Sequence, residues 1–318
     1  MNEDVRTWCE RGNEHLERGE ADEALECFER ALEADPEDPE AWCGRGKAHY
    51  DLGRLRSADR DYREAARHAR RLLGPLEGNA RKARRWWTDV RTRPYLRALH
   101  GRGLTRFWLG DYEHAARTFR RLLRLAPSDP LDVRFLMGEI CFRMGQDEEA
   151  VREFLRAGDD PDVLFNLGLV YFYRSDWLRS VSALRRAIFE NLHLAARLSD
   201  SEPLAAIPSY RGTHPKALDT EDAAFDYDER CGDLWLGRPL LRRWLRAIYE
   251  HPLVRADVER HLGLLRRLAD PSVEAGERAR LEGEHTALRS ESRLAATDKQ
   301  VTAEVMARLF QPDPSAGT

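Results

Sequence analysis

Residues 8–36 read WCERGNEHLERGEADEALECFERALEADP, and residues 42–70 read WCGRGKAHYDLGRLRSADRDYREAARHAR. Laid one over the other, Trp8, Gly12, Ala24, Phe28 and Ala31 fall on Trp42, Gly46, Ala58, Tyr62 and Ala65, an offset of 34 residues at every position. The apolar residues within each stretch recur three and four apart, the spacing of amphipathic helices. A repeat of this length is a pair of helices. Gly12 and Gly46 let the second helix of a pair lie close to the first, Ala24 and Ala58 do the same from the other side, and the aromatic four residues on fills the gap between neighbouring pairs. One such hairpin can bury only part of its apolar surface, so it must stack on another.

The pattern returns as Gly103, Ala115, Phe119 and Pro127, then as Gly138, Ala150, Phe154 and Ala157, and a fifth time as Gly168, Ser180, Leu184 and Ala187. The step from 138 to 168 is short, so the second helix of the fourth pair should end near Ala157-Gly158. Gly19, Gly53, Gly110 and Gly145 mark the turns inside the pairs. The segments 35–39, 127–130 and 159–161, each holding Asp and Pro, separate one pair from the next. This arrangement resembles the tetratricopeptide repeat family. The resemblance implies an all-α fold, a right-handed solenoid of helix hairpins followed by a C-terminal helical region.

The expected organisation is two hairpins in residues 1–70, a basic Trp-rich insertion at 71–95, three further hairpins at 96–190, and a connecting segment with a Ser- and Pro-rich loop at 191–220. A C-terminal helical region at 221–310 and a tail at 311–318 complete it. Amphipathic stretches at 221–236, 238–250, 252–268, 271–283 and 285–310 read as helices, with Pro239, Pro252 and Pro271 at their starts.

Charged residues make up 34% of the chain and hydrophobic ones 42%, which marks a folded protein with a heavily charged surface rather than a disordered one. The N-terminus lacks a secretory signal and no apolar run is long enough to span a bilayer, so the cytoplasm is the expected location and a membrane is not an expected partner. Cys9, Cys27, Cys43, Cys141 and Cys231 are odd in number and contain no CxxC, and they read as reduced core residues. Charge is unevenly spread: residues 1–40 hold fifteen Asp or Glu against four Arg, while residues 54–134 hold twenty-one Arg or Lys against nine acids. The chain is electrically polarised along its sequence.

A narrower resemblance rests on RKARRWWTDVRTRPYLRA (81–98), LLRLAPSDPLDVR (122–134) and AIFENLHLAARL (187–198). Through Trp86, Trp87, Thr92, Arg93, Pro94, Tyr95, Asp129 and Arg134, residues 40–250 resemble soluble bacterial relatives of the suppressor of tumorigenicity seven family. Ala126, Ser128 and Leu198-Ser199 depart from that pattern. The resemblance implies a helical-repeat fold and no catalytic residues.

In tetratricopeptide arrays the first helix of each hairpin lines a concave surface through its positions 2, 5, 9 and 12. Counted from the glycine at position 8, the third to fifth units place His100, Phe135 and Phe165 at position 5. Leu104, Glu139 and Leu169 stand at position 9, and Phe107, Phe142 and Phe172 at position 12. These nine residues would make an aromatic, mostly uncharged groove, and exposed apolar surface of that extent marks a contact site. Two readings stand: a channel for an apolar segment of a protein or peptide partner, or a surface covered by C-terminal helices carrying Trp235, Leu236, Trp244 and Leu245. In the first two units Cys9 and Cys43 occupy slots where a clamp for carboxylate-ended tails needs basic residues.

The insertion interleaves Arg81, Lys82, Arg84, Arg85, Arg91 and Arg93 with Trp86 and Trp87, a mixture able to contact phosphates and stack on bases. This is an alternative, nucleic-acid-associated reading; the competing one has the tryptophans plugging a hairpin seam and the arginines facing solvent or the acidic first unit. Motifs for nucleotide binding, zinc hydrolysis or a nucleophile elbow are missing, and the ten histidines are scattered. The sequence therefore reads as a scaffold or adaptor, not an enzyme, needing no cofactor or metal. Neither the partner's identity nor the oligomeric state is legible.

Overall fold

The computed structural model describes residues 3–74, 86–201 and 220–310. Among these residues the regular structure is helical throughout. The chain divides into two compact units, Met1–Glu153 and Phe154–Thr318.

The first unit contains α1 (Glu3–Glu17) and α2 (Ala21–Ala34), then α3 (Pro39–Asp51) and α4 (Leu55–Leu73). A 3-10 turn at Val90–Thr92 leads into α5 (Arg93–Trp108), α6 (Tyr112–Leu125), α7 (Val133–Arg143) and α8 (Asp147–Ala157), the last running across the boundary between units. Within the pairs α1–α2, α3–α4 and α5–α6 the helices pack on each other, and α2 packs on α3 as α4 does on α5. The four intra-hairpin turns expected at glycine all adopt the left-handed conformation, with φ between 69° and 77° at Gly19, Gly53, Gly110 and Gly145. An L-residue is strained in that region, which is why these turns use glycine. Asp38 caps α3 by accepting the Ala41 amide at 2.8 Å, and Pro39 opens that helix where its missing N–H costs nothing.

The repeat's small and large residues meet as their roles require. A β-carbon at Gly12 would lie 2.7 Å from the ring of Phe28, and one at Gly103 would lie 2.2 Å from that of Phe119. Phe28 also presses on Gly44 of the next hairpin, and Tyr62 on Gly101, so each ring is walled by glycine on two helices. Two buried acids are answered by cations from other helices. Asp61 on α4 takes Arg45 of α3 at 2.8 Å, and Asp59 takes Arg102 and Arg106 of α5. The guanidinium hydrogen bonds and charges outweigh desolvation and hold the Asp59 carboxyl below its usual range.

The second unit opens with the fifth hairpin, α9 (Pro161–Tyr173) and α10 (Trp177–Glu190), where a β-carbon at Gly168 would lie 2.5 Å from Leu184. Its turn carries Ser175 at φ 58° in the slot that glycine fills elsewhere. As expected, α8 stops at Ala157 ahead of a left-handed Gly158. Then follow α11 (Leu192–Ser199), α12 (Glu221–Cys231) with a 3-10 turn at Gly232–Leu234, α13 (Pro239–Tyr249), α14 (Pro252–Ala269), α15 (Ala275–Arg289) and α16 (Glu291–Phe310).

Two of the expected helix bounds are corrected. Pro271 does not begin a helix: Asp270 accepts the Ser272 amide at 2.8 Å, making a local turn that delays α15 to Ala275. The following break comes at Ser290 rather than near residue 284.

The second helix of the fifth hairpin is the hub of this unit, with α11, α13, α14 and α16 all against α10. At its centre Arg185 is fully buried. It donates to Asp298 at 2.5 Å, to the Leu294 carbonyl and Thr297 hydroxyl at 3.0 Å, and to Asp257 at 3.4 Å. The charge of this buried guanidinium is answered by the two aspartates, while its Nε–H has no partner.

Candidate functional site

The first helix of a tetratricopeptide hairpin presents positions 5, 9 and 12 to one side, and the two units treat these positions differently. In residues 1–153, His100 and Leu104 on α5 and Phe135 and Phe142 on α7 are partly exposed. The His100 ring leans on Phe119 with centroids 6.3 Å apart, and burial lowers its affinity for a proton. Phe107 is buried, its edge against Tyr112 at 5.8 Å.

Glu139 departs from an uncharged groove. It is fully buried and pairs with Arg143 at 2.8 Å, whose guanidinium lies 5.6 Å over the Phe107 ring. An ion pair thus sits inside the row. His100, Leu104, Phe135 and Phe142 remain as the accessible part.

Earlier in the same unit Cys9 and Cys43 are buried, while Arg6, Asn13 and Lys47 are exposed. Burial, reinforced by Asp38 and Glu40, pushes the Cys9 thiol up to about 12, and desolvation pushes Cys43 up as well. Neither is a thiolate near neutrality. None of the five cysteines is in a disulfide and all are buried, as the sequence suggested.

In residues 154–318 the corresponding row is filled by the chain's own C-terminal helices. Phe165 and Leu169 are fully buried and Phe172 is 7% exposed. The Phe165 ring meets Tyr227 at 6.1 Å and Trp235 edge-on at 6.3 Å; Phe172 meets Trp177 at 5.3 Å and Trp244 at 5.8 Å. Polar contacts fix these rings in place. Trp235 donates its indole N–H to the Tyr227 hydroxyl, which donates to the Asn166 side-chain oxygen, both at 2.8 Å. Trp244 donates to Ser180 at 3.0 Å, and Ser180 to the Gly168 carbonyl at 2.8 Å.

Of the four cover residues expected from sequence, Trp235, Trp244 and Leu245 are buried, whereas Leu236 is 62% exposed. For Phe165, Leu169 and Phe172 the open channel is therefore replaced by the covered reading, because unfilled aromatic walls are costly in water. Asn166 and Ser180 are participants the sequence reading assigned to no site. Their signal is chemical: a polar side chain on an otherwise apolar helix needs a partner.

Of the insertion candidates, Arg81, Lys82, Arg84 and Arg85 lie outside the described residues. Trp86 is partly buried, tilted on Tyr95 at 6.0 Å, and Trp87 is also partly buried. Arg91 is spent on Asp89 at 2.8 Å, and Arg93 is exposed at the first turn of α5. The described part supports the seam-filling role for Trp86. Among the described residues no group of three His, Cys, Asp or Glu is placed to hold a metal ion, and no helix is long and apolar enough to cross a membrane.

Comparison with known proteins agrees on the repeat and goes no further. A family model described as TPR repeat matches residues 12–53, and one described as tetratricopeptide repeat matches residues 100–163. No curated protein matches the chain in sequence. Among solved structures, YrrB, described as a TPR protein with an unusual peptide-binding site, is 20% identical with a TM-score of 0.45, covering 57% of this chain and 83% of its own. The pilF protein of Pseudomonas aeruginosa is 17% identical, with a TM-score of 0.43 and coverage of 74% of this chain and 94% of that one. The C-terminal part of a TPR repeat-containing protein from Cytophaga hutchinsonii is 11% identical, with a TM-score of 0.48 over 97% of both chains. The narrower likeness to the suppressor of tumorigenicity seven family finds no support among these matches. With matched models at 12–53 and 100–163, left-handed glycines at the hairpin turns and aromatic rings seated on glycine, the chain carries tetratricopeptide repeats.

Proposed function

We propose that this chain is a non-catalytic protein-interaction scaffold whose first-helix row in residues 1–153 receives an amphipathic, aromatic-bearing helix of a partner protein. The supporting observation comes from the second unit. There the same repeat positions, Phe165 and Phe172, take Trp235 and Trp244 from the chain's own C-terminal helical region. The row thus accepts tryptophan supplied in cis, Trp244 from α13 and Trp235 from the turn after Gly232–Leu234. His100, Leu104, Phe135 and Phe142 offer an equivalent partly exposed row for a helix supplied in trans.

Affinity capture from the native cell, read by mass spectrometry, tests this. The partner is expected to stay bound at about 0.5 M salt, where exposed charge pairs are screened. It is expected to be lost in Leu104→Asp/Phe135→Asp, provided circular dichroism shows those variants folded, and kept in Arg91→Glu/Arg93→Glu. A captured species that leaves with salt, survives the groove substitutions and proves to be nucleic acid overturns the reading.

A further inference from the structure

The second helices of the first two hairpins carry opposite charge at matching repeat positions. On α2 the outward residues are Asp22, Glu26, Glu29 and Glu33; 34 residues on, α4 has Arg56, Arg60, Arg63 and Arg67. All eight are exposed. Steps of four, three and four put each set on one flank, a stripe about 16 Å long at 1.5 Å per residue. The opposite flanks bury equivalent residues, Ala24, Phe28 and Ala31 on α2 and Ala58, Tyr62 and Ala65 on α4, so both stripes look out from the same face.

The stripes lie side by side without neutralising each other. Arg54 reaches Asp22 at 3.4 Å and Arg71 reaches Glu37 at 3.2 Å, which places the helix ends together. Along the stripes Glu33 pairs with Arg30 and Arg67 with Glu64, residues of their own helices. Among the described residues no ion pair joins an acid of the α2 stripe to an arginine of the α4 stripe. Like charges at three- and four-residue spacing repel, so each stripe is a standing cost to its helix unless something opposite in sign faces it.

We propose that this face docks on the same face of a second copy of the chain, the acid stripe of each lying on the arginine stripe of the other. A two-fold axis parallel to the helices and midway between α2 and α4 does this. It sets Glu26 opposite the partner's Arg60 and Glu29 opposite the partner's Arg63, the register coming from the repeat offset itself. An axis across the helices would set α2 on α2 and like on like. Such an interface is isologous and self-complementary, and it closes as a dimer. A long polyanion fits this face less well, because the four acids beside the arginines repel it.

Sedimentation velocity on the full chain tests the proposal. A dimer is expected at about 50 mM salt, its dissociation constant rising at least about tenfold by 0.5 M as the charges are screened. Arg60→Glu/Arg63→Glu and Glu26→Arg/Glu29→Arg are each expected to be monomeric alone, with helical content unchanged by circular dichroism. Mixed in equal amounts they are expected to form a one-to-one heterodimer, since the stripe centres are then acidic on both helices of one and basic on both helices of the other. A wild-type monomer at low salt, a dimer that survives both charge reversals, or folded variants that fail to pair when mixed each overturn the proposal. So does a wild-type monomer whose arginine stripe instead retards a single-stranded RNA oligonucleotide.

Discussion

Gly44 of the second hairpin lies against the ring of Phe28 in the first so closely that a β-carbon there would stand 2.1 Å from Cε1. Phe28 is fully buried, and its other face is taken by Gly12. The ring has nowhere to retreat, so even one methyl group must move a helix. Gly44→Ala is expected to lower stability by about 1–3 kcal/mol, the usual cost of overpacking, despite alanine's better helix propensity. Denaturant melts of the two proteins measure this, and an unchanged midpoint would mean that the hairpins part freely.

The hairpin turn at Ser175 offers the reverse case. It is left-handed at φ 58°, with a side chain where Gly19, Gly53, Gly110 and Gly145 have none. Ser175→Gly relieves that strain at some cost in chain entropy, and a gain of about 0.5–1 kcal/mol is expected. Gly145→Ala should lose about 1–2 kcal/mol for the same reason. Thermal melts of the pair should shift in opposite directions.

The Tyr227 hydroxyl both receives the Trp235 indole N–H and donates to Asn166. Tyr227→Phe keeps the ring but strands two buried polar groups, a loss of about 1–3 kcal/mol. Hydrogen exchange should show faster opening of α12 and of the turn at Gly232–Leu234, with α1 to α4 unchanged.

His261 and His285 stack with ring centroids 4.9 Å apart and nitrogens at 3.1 Å, beside Arg289. Desolvation, then the neighbouring cations, push His261 down to about 3 and His285 down to about 4. A folded-state value below the unfolded one means that the unfolded chain takes up the proton first. Stability is therefore whole above about pH 6.5 and falls as the pH drops toward 4, by up to about 1.4 kcal/mol per pH unit for each imidazole that must stay neutral. His285→Leu should flatten that slope in denaturant melts taken between pH 7 and pH 4.5.

Much of this architecture was legible because the repeat writes the same contact several times. A glycine and an aromatic at fixed separation announce a ring seated on a backbone, and the turn glycines announce left-handed turns. Gly44 and Gly101 were not read, since a glycine inside a helix shows its purpose only when the next hairpin's ring is in place. Arg185 was invisible for a related reason: Asp257 and Asp298 lie far along the chain, and no spacing rule connects them. In the first-helix row the aromatic positions follow from the repeat register, but which of them are covered depends on packing within residues 154–318. Glu139 looked like a polar interruption until Arg143, one turn on, accounted for it.

The crowding around α10 bears on how such a protein can lengthen. That helix offers the flank on which a sixth hairpin would rest, and α13, α14 and α16 already occupy it. Duplicating a 34-residue segment between the early hairpins would leave this arrangement whole. The same insertion just after Glu190 would have to prise Arg185 from both its aspartates, so this end of the series is a stopper, and growth has room only upstream.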